Sequence, residues 1–290
     1  MSDKHTPIPF RLAGLAALAA LVLMGRAAWA QEPAPPADDD ELRALIDEAG
    51  TADDHDGANL VTVFKRTRVD VEDSGLGHIH NHELIKCLSE KGAAQLARLR
   101  LDFDPASNFV EVRSLRILRA DGTVEDLPLD RFVDLPQPQH AIYWGAQMKL
   151  VPLPRLQVGD AVEFSTYMKG FLIAYLDEMT GDGGGSGDGA ADGDERYIPP
   201  MRGHFYDIVY FHDHHPVKLR HYEVRLPRNK PLQFEVHNGE VRSYVSHDAD
   251  HMVYRFWKSD QPAFHGEPRA VDFPDVATKV VMATVPDWPE

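Results

Sequence analysis

The chain has 290 residues, 43% of them hydrophobic, which is enough to build the core of one large β domain or of two smaller domains. The formal net charge of −16 argues against partners such as nucleic acid or anionic lipid surfaces, because both require basic patches. The single cysteine, Cys87, cannot form an internal disulfide, so burial alone must hold the fold together.

Residues 1–30 are predicted to be a cleavable secretory signal peptide. Lys4 and Arg11 flank the start of an apolar run at residues 12–24, and Ala28-Trp29-Ala30 has the small-x-small pattern of a cleavage site. A retained membrane anchor is the alternative. It is disfavoured because the run is shorter than the roughly 20 residues that a membrane-spanning helix needs. We therefore expect a periplasmic or secreted protein without a membrane segment after cleavage.

Residues 31–57 are predicted to be a tether that contains one short helix. Residues 31–40 are rich in Pro and Ala and then acidic, a composition typical of extended linkers. Asp40 can cap a helix that carries Leu42, Leu45 and Ile46, and Gly50 can end it.

The pattern at residues 58–288 predicts one domain made of short strands. Strands at 60–71 and 78–88 flank a turn cluster and form a hairpin, and Asp121-Gly122 predicts a second hairpin. Asn238-Gly239 predicts a third hairpin, between strands at 232–236 and 242–246. About ten or more strands with little helical periodicity favour an all-β fold, an antiparallel β-sandwich. The other strands are predicted at 97–103, 110–119, 148–151, 161–168, 204–211, 219–226 and 252–257.

Residues 178–196 are predicted to be a flexible, disordered insertion between two strands. The segment consists mostly of Gly, Asp, Ala and Ser, which cannot offset the entropy cost of ordering. Its carboxylates suggest calcium, but the EF-hand spacing is absent and Ser186 interrupts the G-G-x-G-x-D repeat.

Two histidine clusters are candidate metal sites. The first alternates along a predicted strand, so its imidazoles would share one face about 7 Å apart. The second precedes Pro216 in a predicted loop. A solvent-facing strand surface and an ordinary polar loop are the alternatives, and no cofactor is expected apart from a divalent metal bound adventitiously. The candidate ligands are His78, His80, His82, His212, His214 and His215.

The sequence contains no recognisable catalytic arrangement. Cys87 alternates with Ile85 on the predicted inward side of a strand, away from any helix N-terminus that would lower its pKa. The G-x-S-x-G, H-E-x-x-H and phosphate-loop motifs are all missing. We therefore expect a chain that is not itself an enzyme.

Four segments, in this order, resemble the family known as domain of unknown function 3857. They are SGLGHIHNHELIKCLSEKGA (74–93), RADGTVEDLP (119–128), LQVGDAVEF (156–164) and YIPPMRGHFYDIVYF (197–211). The resemblance covers residues 58–288. It implies an exported domain that stands in front of a transglutaminase-like domain, which would supply a catalytic cysteine, histidine and aspartate. No segment up to Glu290 resembles that second domain, so no catalytic residue is carried over.

The resemblance and the missing catalytic motifs together predict a non-catalytic exported module. Its partner would be a transglutaminase-like cysteine peptidase or amide-transferring domain, either further along the natural chain or in a separate protein of the same compartment. One alternative is a periplasmic module that binds peptide, glycan or cell-wall material through aromatic side chains. The other is a metal-binding protein that uses the histidine clusters. The candidate aromatic residues are Tyr143, Trp144, Tyr167, Phe205 and Tyr210.

Overall fold

A computed structural model describes residues 38–137, 145–171, 197–264 and 273–285. The chain divides into two compact units, Met1–Asp39 and Asp40–Glu290, and nearly all described residues belong to the second. The predicted signal peptide and the predicted insertion at 178–196 lie outside the described residues. Within the described ranges, every helix is too short or too polar to cross a bilayer.

Strands dominate the described residues, and helices are few and short. The helices are α1 (Asp39–Glu48), α2 (Glu90–Gln95) and α3 (Phe273–Val276), with a 3-10 turn at Ala52–His55. The strands are β1 (Leu60–Val71), β2 (Gly77–Cys87), β3 (Arg98–Phe103), β4 (Asn108–Leu118), β5 (Val124–Asp126), β6 (Val133–Pro136), β7 (Gln147–Pro152), β8 (Ala161–Gly170), β9 (Tyr206–Tyr210), β10 (Val217–Pro227), β11 (Gln233–His237), β12 (Arg242–His247), β13 (His251–Gln261) and β14 (Lys279–Ala283).

Eight of these strands form one large sheet, in the order β12-β13-β10-β1-β2-β8-β4-β5. Two further sheets have three strands each, in the orders β11-β14-β9 and β3-β7-β6. The neighbouring strands run antiparallel, except that β1 and β10 pair in parallel at the centre of the large sheet. The all-β, predominantly antiparallel fold predicted from the sequence is therefore confirmed.

The two small sheets contact one face of the large sheet, which we call the inner face. Val69 of β1 and Val224 of β10 share an apolar core with Val280 of the β11-β14-β9 sheet. At the other end of the inner face, Phe164 of β8 shares a second core with Val151 of β7. The large sheet is thus half of a sandwich whose other half is formed by two separate sheets.

The opposite, outer face of the large sheet is covered in part by α1. Leu42 and Ile46 of this helix are buried against Phe64 and Leu84, which point to the outer face. Their spacing of four residues places both on one side of the helix, as the apolar pattern predicts. Lys86 also lies here and donates from Nζ to the Ile46 and Gly50 carbonyls, both at 2.8 Å.

Two of the three predicted hairpins are confirmed and one prediction is wrong. β1 pairs with β2, and β4 pairs with β5 around Gly122, whose φ of +94° suits a tight turn. At Asn238-Gly239, however, β11 pairs with β14 and β12 pairs with β13. The Asn238 amide donates to the Asp275 carbonyl at 2.7 Å, which ties this turn to the chain before β14. Asn238 and Gly239 do have positive φ angles, +57° and +139°, but their turn connects two different sheets.

Candidate functional site

A band of polar side chains crosses the inner face between its two apolar cores. On β1, Leu60 belongs to one core and Val69 to the other, with Lys65 and Thr67 between them. The neighbouring strands continue the same rows, because opposite residues of paired strands share a face. We call the following six residues the polar band: Lys65, Thr67, Asn81, Glu83, Thr166 and Arg220.

Hydrogen bonds link the polar band across four strands. Arg220 Nη1 donates to Thr67 Oγ1 at 2.9 Å, and Thr67 donates to Asn81 Oδ1 at 2.7 Å. Asn81 Nδ2 in turn donates to Thr166 Oγ1 at 3.4 Å. One row further along, Lys65 Nζ lies 2.9 Å from Glu83 Oε1. Because buried polar groups require partners, the band is stable only as a connected set.

A cavity of about 290 Å³ opens on the polar band. Thr67, Asn81 and Arg220 form part of its wall, together with the apolar side chains of Ile79 and Met168. The facing wall is formed by β9 and the residues that follow it, up to Asp213. A cavity of this size lies near the small end of the range for ligand sites, roughly 300–1,000 Å³.

Enclosure shifts the pKa values of the charged groups in the cavity wall. Burial raises the pKa of the Asp207 carboxyl, although Tyr222 Oη donates to Asp207 Oδ2 at 2.6 Å and the Ile208 amide to Oδ1 at 2.7 Å. Burial likewise raises the pKa of Tyr222 well above 10. It lowers the pKa of Arg220, yet a guanidinium stays charged in proteins. Arg220 therefore stays positively charged in the cavity wall, beside a carboxyl that resists ionisation.

The first histidine cluster lies on the outer face and is engaged with carboxylates. His78 Nε2 lies 2.8 Å from Glu72 Oε1, and His82 Nε2 lies 2.7 Å from Glu163 Oε1. Burial alone would raise the pKa of Glu163, but hydrogen bonds from His82 and Arg116 hold it below its ordinary value.

The remaining member of this cluster, His80, is the most exposed of the three. Its ring centroid lies 5.2 Å from that of Tyr167, and its Nε2 lies 3.9 Å from Asp70 Oδ2. Burial and the nearby Arg68 charge lower the pKa of His80. The three histidines thus share one face, as predicted, but each has a different carboxylate neighbour.

The second histidine cluster lies on the inner side of the large sheet. His212 lines the cavity, and its Nδ1 accepts from the Thr278 amide at 3.1 Å. His214 is exposed with its ring centroid 5.8 Å from that of Phe273, and burial lowers the pKa of His215. The structure therefore places the two clusters on opposite sides of the sheet and does not bring them together.

No group of three or more His, Cys, Asp or Glu side chains in the described residues is arranged to hold a metal ion.

Cys87 is fully buried on the inner face, and burial together with the Asp160 charge raises its pKa to about 12. A thiol with so high a pKa is not ionised at neutral pH, and the thiolate is the nucleophilic form.

The three proposed aromatic residues that the structure describes do not form one platform. Tyr167 lies on the outer face, and the Arg113 guanidinium carbon lies 4.9 Å from the centroid of the Tyr167 ring. Tyr210 packs against Phe273, and Phe205 lies beside the Thr284 hydroxyl. Tyr143 and Trp144 lie outside the described residues.

The residues of the polar band were missed by the sequence analysis, although a signal exists. Asn81 and Glu83 fall at inward positions of β2, between Ile79 and Ile85, where alternation predicts apolar side chains. Arg220 stands in the same way among the inward residues of β10. Polar residues on the apolar side of a strand are the informative ones.

The fold and the site define an all-β domain of the sandwich class with a polar cavity on its inner face. The family model for a domain of unknown function with a solved structure, DUF3857, matches residues 73–265. The chain belongs to the DUF3857 family. None of the curated proteins matches the sequence.

A solved structure shows the same fold within a larger protein. A candidate protease from Parabacteroides distasonis ATCC 8503 is 12% identical with a TM-score of 0.60, over 79% of this chain and 41% of that one. The chain thus spans about two fifths of the length of that relative.

Two other structures are more distant. An M1 zinc metallopeptidase from Deinococcus radiodurans is 12% identical with a TM-score of 0.37, over 78% of this chain and 42% of that one. A candidate nutrient binding protein from Legionella pneumophila is 9% identical with a TM-score of 0.29, over 77% of this chain and 67% of that one. At such TM-scores the likeness supports no functional argument.

Proposed function

We propose that this chain is an exported, non-catalytic β-sandwich module that serves a transglutaminase-like cysteine peptidase or amide-transferring domain. The observation that carries the proposal is the partial coverage of the Parabacteroides candidate protease. The fold of this chain accounts for 41% of that protein, which leaves more than half of it for a different activity. A module of this kind would pack against its partner, position it or present substrate to it.

The state of Cys87 supports a non-catalytic role. Its thiol is fully buried and its pKa is raised to about 12, whereas a catalytic thiol needs a lowered pKa and access to substrate. The carboxylate of Asp160 also raises its pKa, because a negative charge disfavours the thiolate. Export follows from the predicted signal peptide at residues 1–30, and it requires the partner to act in the periplasm or outside the cell.

The experiment compares the purified chain with a transglutaminase-like peptidase from the same compartment, each alone and mixed. We expect no peptide hydrolysis or amide transfer by the chain alone, and a changed kcat/KM of the peptidase on mixing. The same mixture with thermally unfolded chain controls for crowding. Activity of the chain alone that disappears in Cys87→Ser would overturn the proposal, and so would an unchanged kcat/KM on mixing.

A further inference from the structure

The inner-face cavity contains a charged group whose hydrogen-bonding capacity is only partly used. Arg220 lies in its wall, and in the described residues its hydrogen bonds all leave from Nη1. The acceptors are Thr67 Oγ1 at 2.9 Å, the Lys65 carbonyl at 3.3 Å and the His221 carbonyl at 3.4 Å. All three are uncharged, so the guanidinium has no bidentate anionic partner within the part of the chain that the structure describes.

The other nitrogens of Arg220, Nε and Nη2, make no hydrogen bond within the described ranges. Arg220 itself forms part of the cavity wall. The edge formed by Nε and one Nη matches the two oxygens of a carboxylate.

The surrounding charges restrict which anion could bind. Three nearby carboxyl groups already have partners. Glu83 Oε1 lies 2.9 Å from Lys65 Nζ, and Asp207 Oδ2 accepts from the Tyr222 hydroxyl at 2.6 Å. Asp213 Oδ1 accepts from the His214 amide at 2.6 Å. All three carboxyl groups lie near enough to influence Arg220. A carboxylate in this wall, such as Asp213, would repel a phosphate dianion more strongly than a monoanion. The remaining wall is apolar and includes Val69, Ile79 and Met168, which suits a short hydrocarbon group.

We propose that this cavity binds a carboxylate carried on a short branched aliphatic group, with the carboxylate on the Nε and Nη2 edge of Arg220. The hydrocarbon part would then lie against Val69, Ile79 and Met168. Two sources carry this chemistry, a free short-chain acid and the C-terminal residue of a peptide. The inference does not depend on the accessory role proposed above, since a cavity can bind its ligand with or without an enzymatic partner.

The test is calorimetric titration of the full chain with isovalerate and with N-acetylglycyl-valine, each compared with its neutral amide. We expect saturable binding of at least one acid and about tenfold weaker binding of the matching amide, as for loss of a charged hydrogen-bonded pair. Tighter binding of the acetylated dipeptide identifies a peptide C-terminus as the source, and tighter binding of isovalerate identifies a free acid. Equal affinity of acid and amide, or no saturable binding, would overturn the proposal.

Variants separate the site from general effects on folding. Arg220→Lys keeps the charge but loses the fork, and we expect about tenfold weaker binding. Arg113→Lys, the same change on the outer face, should leave binding unchanged. Asp213→Asn removes a nearby negative charge and should strengthen binding roughly threefold, an effect that misfolding cannot imitate. Unaltered affinity in both Arg220→Lys and Asp213→Asn would place the ligand elsewhere.

Discussion

The two faces of the large sheet carry similar kinds of polar residues in different surroundings. On the outer face, His78, His80 and His82 each have their own carboxylate neighbour and remain partly exposed to solvent. On the inner face, the polar band is linked strand to strand, and part of it lines a cavity. The density of titratable residues in the sequence therefore did not locate the candidate site, whereas the burial of a few polar residues did.

The largest expected effect concerns His221, an outer-face residue that does not follow this comparison because it is only 6% exposed. Burial, and then the Arg66 charge, lower its pKa from 6.5 to about 4, against the opposing influence of Glu223. The unfolded chain therefore binds more protons between those values, so stability falls as the pH drops from 7 to 4. At about 1.4 kcal/mol per pKa unit, the free energy of unfolding should fall by about 3 kcal/mol through this residue.

Urea unfolding at pH 7 and pH 4 measures this effect. His221→Gln lacks the titrating group, so its stability should depend less on pH than that of the wild type by about the same 3 kcal/mol. The difference between the two proteins cancels the carboxylates that titrate in the same range. An identical pH dependence in both would show that His221 is accessible to protons in the folded state.

The next effect compares one substitution on the two faces. Tyr222→Phe removes the hydroxyl that donates to Asp207 at 2.6 Å, and we expect a loss of about 2 kcal/mol because an enclosed carboxyl loses a partner. Tyr167→Phe removes the hydroxyl that lies 2.7 Å from His78 Nδ1 on the outer face, and there we expect a loss of about 1 kcal/mol or less. Chemical unfolding of both variants provides the measurement. Equal losses would contradict the distinction between the faces.

The smallest effect is expected for His80→Ala. The His80 side chain is 46% exposed and lies 3.9 Å from its carboxylate neighbour, so its loss should change the free energy of unfolding by less than about 0.5 kcal/mol.

The same variant tests the hypothesis that the histidines bind a metal. Elemental analysis of untagged chain should find metal below one equivalent and removable by mild chelation. Stoichiometric zinc, nickel or copper that is lost in His80→Ala would make the outer face the functional one.

The sequence predicted the local features of the fold well. Alternating apolar residues located nearly all the strands, and the turn chemistry at Asp121-Gly122 identified a true hairpin. The alternation of residues also distinguished the two sides of β2, with the histidines on one side and Ile79, Ile85 and Cys87 on the other. These successes share a physical reason, because each depends on residues that are neighbours along the chain.

The features that the sequence could not provide are non-local. β14 (Lys279–Ala283) is only five residues long, yet it lies at the centre of a small sheet with Val280 and Met282 buried. Its partners β9 and β11 are distant in the chain, so no local pattern announces the pairing. The polar band is equally non-local, since Arg220 meets Thr67 across 153 positions. Alternation alone treats such inward polar residues as errors in the pattern.

The parallel β1–β10 pair joins two strands that are far apart in the chain. Its partners lie about 155 positions apart, as Arg220 and Lys65 show, and closing so long a loop is an intrinsically slow step. Until β10 arrives, β1 is the edge of an incomplete sheet with unpaired backbone groups, and such edges invite pairing with other chains. The cavity wall is then completed only when Arg220 docks beside Thr67, so a nascent chain cannot present this site before residues 217–227 have been synthesised.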